Sequence, residues 1–275
     1  MSRITGSPGG RPLAHRSLAQ RTAQSLRAVG ALVLREMSTR YGSSPGGYVW
    51  ALLEPIGAIL VLALGFSLIV NAPALGNSFI LFYATGFLPF NLYQQVSLTV
   101  ARAIVFSRPL LFYPTVTWFD SVIARFVLST LTGVMVSFLV AAMVVLATQA
   151  HPVIEVWPIV LGMTLAAVLG LGIGLLNCAL MGLFPVWDVV WSVITRPLFI
   201  ASGILFILED LPHAIQRILW FNPLIHVIGI LRSGFYPLYE ASYASVTFVL
   251  LCAMIPAALG ILLLDRYHRD ILEKT

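Results

Sequence analysis

Charge is what this sequence has least of. Only 10% of its 275 residues are Asp, Glu, Lys or Arg, against about 25% in an ordinary soluble domain. From Pro55 to Ala101 there is not one. So few charges cannot coat a water-soluble body in which 59% of residues are apolar, which excludes a soluble helical domain and points to an integral membrane protein. Lysine is rarer still, with Lys274 the only one. A phosphate-binding P-loop needs a lysine directly after its glycine-rich turn, so this chain cannot be its own P-loop ATPase. The two cysteines, Cys178 and Cys252, both lie inside apolar runs, which implies neither a disulfide framework nor a zinc cluster. The five histidines show no HExxH spacing and read mostly as boundary residues. No Ser-His-Asp or paired-carboxylate arrangement can be placed, so no catalytic residue and no metal ligand is assigned. The first long apolar run begins only near Tyr48, so no secretory signal peptide is expected.

What is present is a series of apolar runs of helical length. Residues 1–14 read as a tail without periodicity. Arg16–Ser38 predicts a helix with Leu26, Val29, Val33 and Met37 on one face and Arg21 and Arg35 on the other. It either lies along the headgroups or packs on the protein's own cytosolic face. Six spans are then expected: Tyr48–Val70, Phe79–Ala101, Phe126–Gln149, one within Val156–Phe184, Val189–Leu208, and Ala241–Leu264. Each is roughly 30–37 Å of helix, enough to cross a bilayer. Gly162, Gly170, Gly172 and Gly174 mark the fourth as a close-packing helix.

The basic residues orient these spans. Of 16 Lys and Arg, seven precede Gly42. With six spans, 13 of the 16 fall on the side that also holds both termini, so both termini are expected in the cytoplasm by the positive-inside rule. This explains the net charge of +5 without invoking nucleic acid. Residues 1–42 form a cytoplasmic tail and amphipathic helix, and residues 43–275 the transmembrane domain.

Three stretches carry a family resemblance. RYGSSPGGYVWALLEP (Arg40–Pro55), SRPLLFYPTVTWFDSVIAR (Ser107–Arg125) and TRPLFIASGILFILEDLP…WFNPLIHVIGILRSGFYP (Thr195–Pro237) occur in this order. Together with six spans they resemble the permease subunit of ABC-2 type exporters, nearest the capsular-polysaccharide export branch. One departure is Ser129, where that branch tends to carry a Glu. The resemblance implies an all-α membrane protein working as a homodimer with two copies of a separate ABC ATPase. ATP and Mg would sit on that partner, with no cofactor on this chain. The implied cargo is a lipid-linked polysaccharide moved across the bacterial inner membrane, with periplasmic and outer-membrane export proteins as further partners.

The resemblance also assigns sites. Arg108, Pro109, Leu110, Leu111, Phe112, Tyr113 and Asp120 belong to a cytoplasmic loop that would dock into the ATPase. Its run of apolar residues is unusual for an exposed loop, although an anchor dipping into the membrane interface has the same composition. Glu209–Glu240 is too apolar for a free loop and too charged for a span. In the resembled family it forms re-entrant helices; a surface-lying amphipathic helix over Ala214–Phe221 is the alternative. Trp50, Phe87, Phe90 and Tyr93 are channel candidates, because sugar rings stack on aromatic faces, though Trp and Tyr also mark membrane interfaces. Arg196, inside the fifth span, either snorkels to the headgroups or faces the path and holds anionic groups with its planar fork. Arg232 is a further candidate. An ABC-2 permease for a drug or another glycolipid shares these features. A secondary transporter would need intramembrane carboxylates, for which Glu54 is the sole candidate, and a membrane transferase would need a convergent polar site.

Overall fold

The computed structural model describes residues 27–37, 47–111, 116–148 and 153–274, and the regular secondary structure among these is all helical. Helix α1 covers 27–37. It is followed by α2 (Gly47–Ser67), α3 (Phe79–Ala101), α4 (Ala103–Leu111), α5 (Trp118–Thr148) and α6 (Val156–Leu183). The remaining helices are α7 (Trp187–Ala201), α8 (His213–Leu219), α9 (Pro223–Ser233) and α10 (Val246–Lys274), with a 3-10 turn at Leu208–Asp210. The part of the expected N-terminal helix before residue 27 lies outside the described residues.

Helices α3 and α6 are the spine. The glycines of α6 decide this, because each lets a neighbour's backbone come close. A Cβ on Gly170 would meet Tyr93 O at 2.9 Å and one on Gly174 would meet Ser97 O at 2.9 Å, both on α3. A Cβ on Gly172 would run into the Ala253 carbonyl of α10, and Gly182 sits against Ile271 near the end of that helix. These pairings set α3, α6 and α10 parallel. Helices α2 and α5 flank α3, and α9 lies across α6 and α3. The ends of α3, α6 and α10 and the starts of α5 and α7 thus gather at one end of the bundle, where Arg102, Arg108, Arg125, Arg266 and Arg269 also lie.

Among the described residues, four helices are long and apolar enough to cross a membrane, over Val49–Ser67, Trp118–Thr148, Val156–Leu183 and Val246–Leu272. The pair α8 and α9, bent by 103°, makes a fifth if counted as one broken span. The second and fifth of the six expected spans, Phe79–Ala101 and Val189–Leu208, are therefore not among these four. Helix α3 has the expected bounds, and Ser78 caps it by accepting from Leu81 N at 3.3 Å. It carries Asn91, Gln94 and Gln95 and is wrapped by its neighbours. Helix α7 is only 15 residues long, about 22 Å. It stops seven residues before the expected Leu208, because the chain turns at Gly203 with φ +85°.

Helix α5 starts eight residues before the expected Phe126, since Asp120 and Arg125 are absorbed rather than exposed. Thr117 and Asp120 form a reciprocal cap: Thr117 N donates to Asp120 Oδ2 at 3.0 Å, and Asp120 N to Thr117 Oγ1 at 3.2 Å. Helix α10 begins after Ser245, which accepts from Phe248 N, and runs ten residues past the expected Leu264.

A buried arginine corner and a bent helix pair

Two polar constellations stand out in this apolar body. The first lies where α1 meets the turn from α3 through α4 into α5. Arg125 on α5 is 8% exposed and Glu36 on α1 is 5% exposed. Glu36 Oε1 accepts from Arg125 Nε at 2.9 Å and from Nη2 at 2.8 Å. Arg125 Nη1 donates to Thr99 O at 3.1 Å and to Arg102 O at 2.9 Å, two carbonyls at the end of α3, the second of which also accepts from Phe106 N at 3.1 Å. The guanidinium also lies 4.2 Å above the Phe106 ring. One side chain thus ties α1, α3, α4 and α5 together. Beside it, Ser121 Oγ sits 2.6 Å from Ser107 Oγ and 3.2 Å from Ala103 O. A small cleft between α1, α4 and α5 is lined by Leu32, Phe106, Ser107 and Ser121.

The expected exposed loop at Ser107–Asp120 takes a different form here. Arg108 and Pro109 lie in the last turn of α4, Pro109 is exposed, and Leu110 and Leu111 are half-buried. Leu111 packs against the core. Asp120 is buried in its helix cap. Phe112 and Tyr113 lie outside the described residues. On α1, Val29 and Val33 face inward as expected, but Met37 is exposed and Glu36 takes the inward position.

The second constellation is the α8–α9 pair. None of α8 is buried, whereas nine residues of α9 are. Asn222 makes the bend: its Oδ1 accepts from Leu224 N at 3.1 Å, capping α9, while Nδ2 donates to Ala201 O at 2.8 Å. Arg232 is 2% exposed. It donates to Phe206 O and Ile204 O, both at 3.0 Å, and stacks 4.2 Å over Phe82. Gly86 makes room for it, since a Cβ there would meet Arg232 Nη2 at 2.9 Å.

His226 is fully buried, not a boundary residue. Ser245 N donates to its Nδ1 at 3.1 Å, so the proton sits on Nε2, which donates to Trp220 O at 2.8 Å. Next to it, burial pushes the Tyr243 phenol up to about 12. Its hydroxyl, 3.2 Å from that of Tyr239, is therefore a neutral hydrogen-bonding group.

The remaining candidates are not brought to one site. Phe90 and Tyr93 are 3% and 4% exposed inside the α3 packing. Phe87 and Phe90 present their rings to Phe199 of α7 at 6.5 and 5.3 Å. Trp50 is 64% exposed on α2, and Arg196 is exposed on α7. The Glu36–Arg125 pair was missed by sequence reasoning. Its available signal was that Glu36 is the one acid before Glu54 and Arg125 the one base near the third apolar run.

Residues 27–236 match the family model described as ABC-2 type transporter. The chain is 32% identical over 235 residues to the polysialic acid transport protein KpsM of Escherichia coli, covering 86% of this chain and 91% of that one. It is 27% identical over 251 residues to the capsule polysaccharide export inner-membrane protein CtrC of Neisseria meningitidis, covering 89% and 92%. It is 25% identical over 246 residues to the capsule polysaccharide export inner-membrane protein BexB of Haemophilus influenzae, with the same coverage of 89% and 92%.

Proposed function

Because the chain belongs to the ABC-2 type transporter family, we propose that it is the membrane permease subunit of an ATP-driven exporter of capsular or related lipid-linked polysaccharide. The observation that carries this is its likeness, over most of its length, to inner-membrane proteins named for capsule export. The chain has no P-loop lysine, so the energy comes from a separate ABC ATPase, which binds ATP and Mg.

In this reading both termini are cytoplasmic, because the end of the bundle that gathers Arg102, Arg108, Arg125, Arg266 and Arg269 takes the cytoplasmic side. Six segments cross or enter the membrane, with α3 as the shielded second and α7 as the short fifth. The bent α8–α9 pair is the re-entrant element at the outer end. Two copies associate, and each meets an ATPase subunit through the surface between Arg108 and Asp120. Closure of the ATPases pushes on α4, and the Arg125 corner passes that displacement to α1, α3 and α5 together. Trp50 and Arg196, exposed on lightly packed helices, are the channel candidates placed to line a path between copies. Phe90, Tyr93 and Arg232 stiffen its wall. Periplasmic and outer-membrane export proteins receive the polymer.

Deletion of the gene tests this. Surface polysaccharide should disappear while lipid-linked polymer accumulates inside, and a plasmid copy should restore both. Unchanged surface polymer would remove the cargo assignment. Failure of a tagged chain to copurify a P-loop ATPase from its own host would remove the exporter reading.

A further inference from the structure

Side-chain amides are scarce in the long helices, and they gather at one place. Helices α2, α5, α7 and α10 contain no Asn or Gln, and Asn177 of α6 accepts from Trp187 Nε1 at 2.9 Å. Helix α3 carries three, Asn91, Gln94 and Gln95. Gln94 is exposed and the other two are half-buried. None of the three makes a side-chain hydrogen bond with a described residue.

Helix geometry sets two of them in one strip. Phe87, Asn91, Gln94 and Leu98 follow at steps of four, three and four residues, so they share a face of α3. The neighbours of α3 pack elsewhere. Helix α6 approaches Tyr93 and Ser97 through Gly170 and Gly174, and α5 approaches Leu92 and Gln95 through Gly133. Helix α9 reaches Gly86 through Arg232. Helix α2 meets Tyr83 through Phe66, with ring centroids 5.5 Å apart. Helix α7 borders the strip through Phe199, whose ring lies 6.5 Å from that of Phe87. Asn91 stands near the middle of the 23-residue helix, about 18 Å from its start, with Gln94 one turn further on.

Lipid is a poor neighbour at that depth. An amide placed in hydrocarbon loses the hydrogen bonds it makes in water, and polar side chains within spans face the protein interior or a water-filled cavity. The chemistry of the strip also selects a ligand. A neutral amide both donates and accepts, as sugar hydroxyl and acetamido groups do. Helix α3 has no charged residue with which to hold an ion, and an acyl chain offers an amide no partner.

We propose that Asn91 and Gln94 line the water-filled translocation path and hydrogen-bond the hydroxyl and acetamido groups of the polymer as it passes. This rests on the exporter reading for the nature of the polymer, and adds to it the residues that meet the polymer's uncharged groups. Two neutral amides hold each sugar weakly enough for the next to replace it.

Removing the amides at constant size tests it. In a strain lacking the native gene, Asn91→Leu combined with Gln94→Met should deliver at least tenfold less surface polymer than the native chain at equal membrane level. Asn91→Gln combined with Gln94→Asn keeps both amides and should deliver close to the native amount. Native delivery by the apolar pair would overturn the proposal, because amides that face lipid or a neighbouring span are dispensable to export. Equal losses from both pairs would overturn it too, since side-chain fit and not amide chemistry would then be at stake. A native copy that restores no surface polymer would instead remove the exporter reading, and this proposal with it.

Should the apolar pair fail to accumulate, accessibility decides. With Cys178 and Cys252 replaced by Ala, Asn91→Cys and Gln94→Cys should each react with a charged, water-soluble methanethiosulfonate in membranes that hold the ATPase. Phe138→Cys, at an exposed position of apolar α5, should not. Switching on polymer synthesis in the host should slow the reaction at both α3 positions. Reaction no faster than at Phe138→Cys, or a rate indifferent to polymer, would overturn the proposal.

Discussion

Arg125 and Arg232 are both taken out of water, and each is compensated differently. Arg125 has a carboxylate and two carbonyls, whereas Arg232 has two carbonyls and a ring face but no carboxylate. In both, the planar fork reaches several acceptors at once, which a lysine cannot copy. Removing one partner of a buried ion pair costs about 3–5 kcal/mol. Arg125→Ala should therefore lower the thermal stability of the detergent-solubilised protein by that order. Glu36→Gln keeps an acceptor and should cost only about 1–3 kcal/mol. Unfolding curves of the two variants would check the ranking, and equal losses would contradict it. Arg232→Lys should destabilise as well, by stranding Ile204 O or Phe206 O, and the same unfolding measurement reads it. Neither arrangement was legible in the sequence. Glu36 and Arg125 are 89 residues apart, and no local spacing connects them. Arg232 looked like a substrate ligand because its partners are backbone carbonyls, which every sequence contains.

Helices were legible where packing and composition pointed the same way. Phe79–Ala101 was read with its observed bounds because the charge-free run stops at Ala101, just before Arg102, and the structure adds the Ser78 cap at its start. The α6 glycines announced close contact, and Gly170, Gly172 and Gly174 lie against α3 and α10 as that pattern implies. Gly172→Leu should force α6 and α10 apart, since its Cβ would already strike the Ala253 carbonyl. Overpacking of this kind usually costs about 1–3 kcal/mol, and more where backbone has to move. Loss of the monodisperse peak in gel filtration, with Gly57→Ala unchanged as an open-surface control for packing, is the expected outcome. Legibility failed where charge was taken as the edge of a span. Asp120 and Arg125 delayed the expected start of α5, although a Thr-x-x-Asp cap and a buried pair hold both within the helix. The end of α7 was also misplaced, because apolar residues continue through the turn at Gly203 and hydrophobicity alone does not mark a turn.

At the scale of the whole molecule, the proposed function makes the bundle an intermediate body between a cytoplasmic motor and an outer gate. Helix α4 is its shortest route to the core: Leu111 packs inward and Pro109 stays exposed. A partner pushing on Pro109 and Leu110 would therefore displace Ser107 and Phe106, and through them the Arg125 corner. This separates two substitutions that composition alone would treat alike. Leu111→Asp buries a charge against the core and should lower the amount of folded protein. Leu110→Asp alters a half-exposed side chain and should leave the protein at normal levels in the membrane while breaking its coupling to the ATPase. The purified chain alone should hydrolyse no ATP, because it has no P-loop lysine. In the reconstituted complex, Leu110→Asp should leave basal hydrolysis by the ATPase in place and reduce polymer translocation at least tenfold. Translocation at the native rate by Leu110→Asp, at equal protein level, would mean that α4 anchors the chain at the membrane interface and that the motor pushes elsewhere.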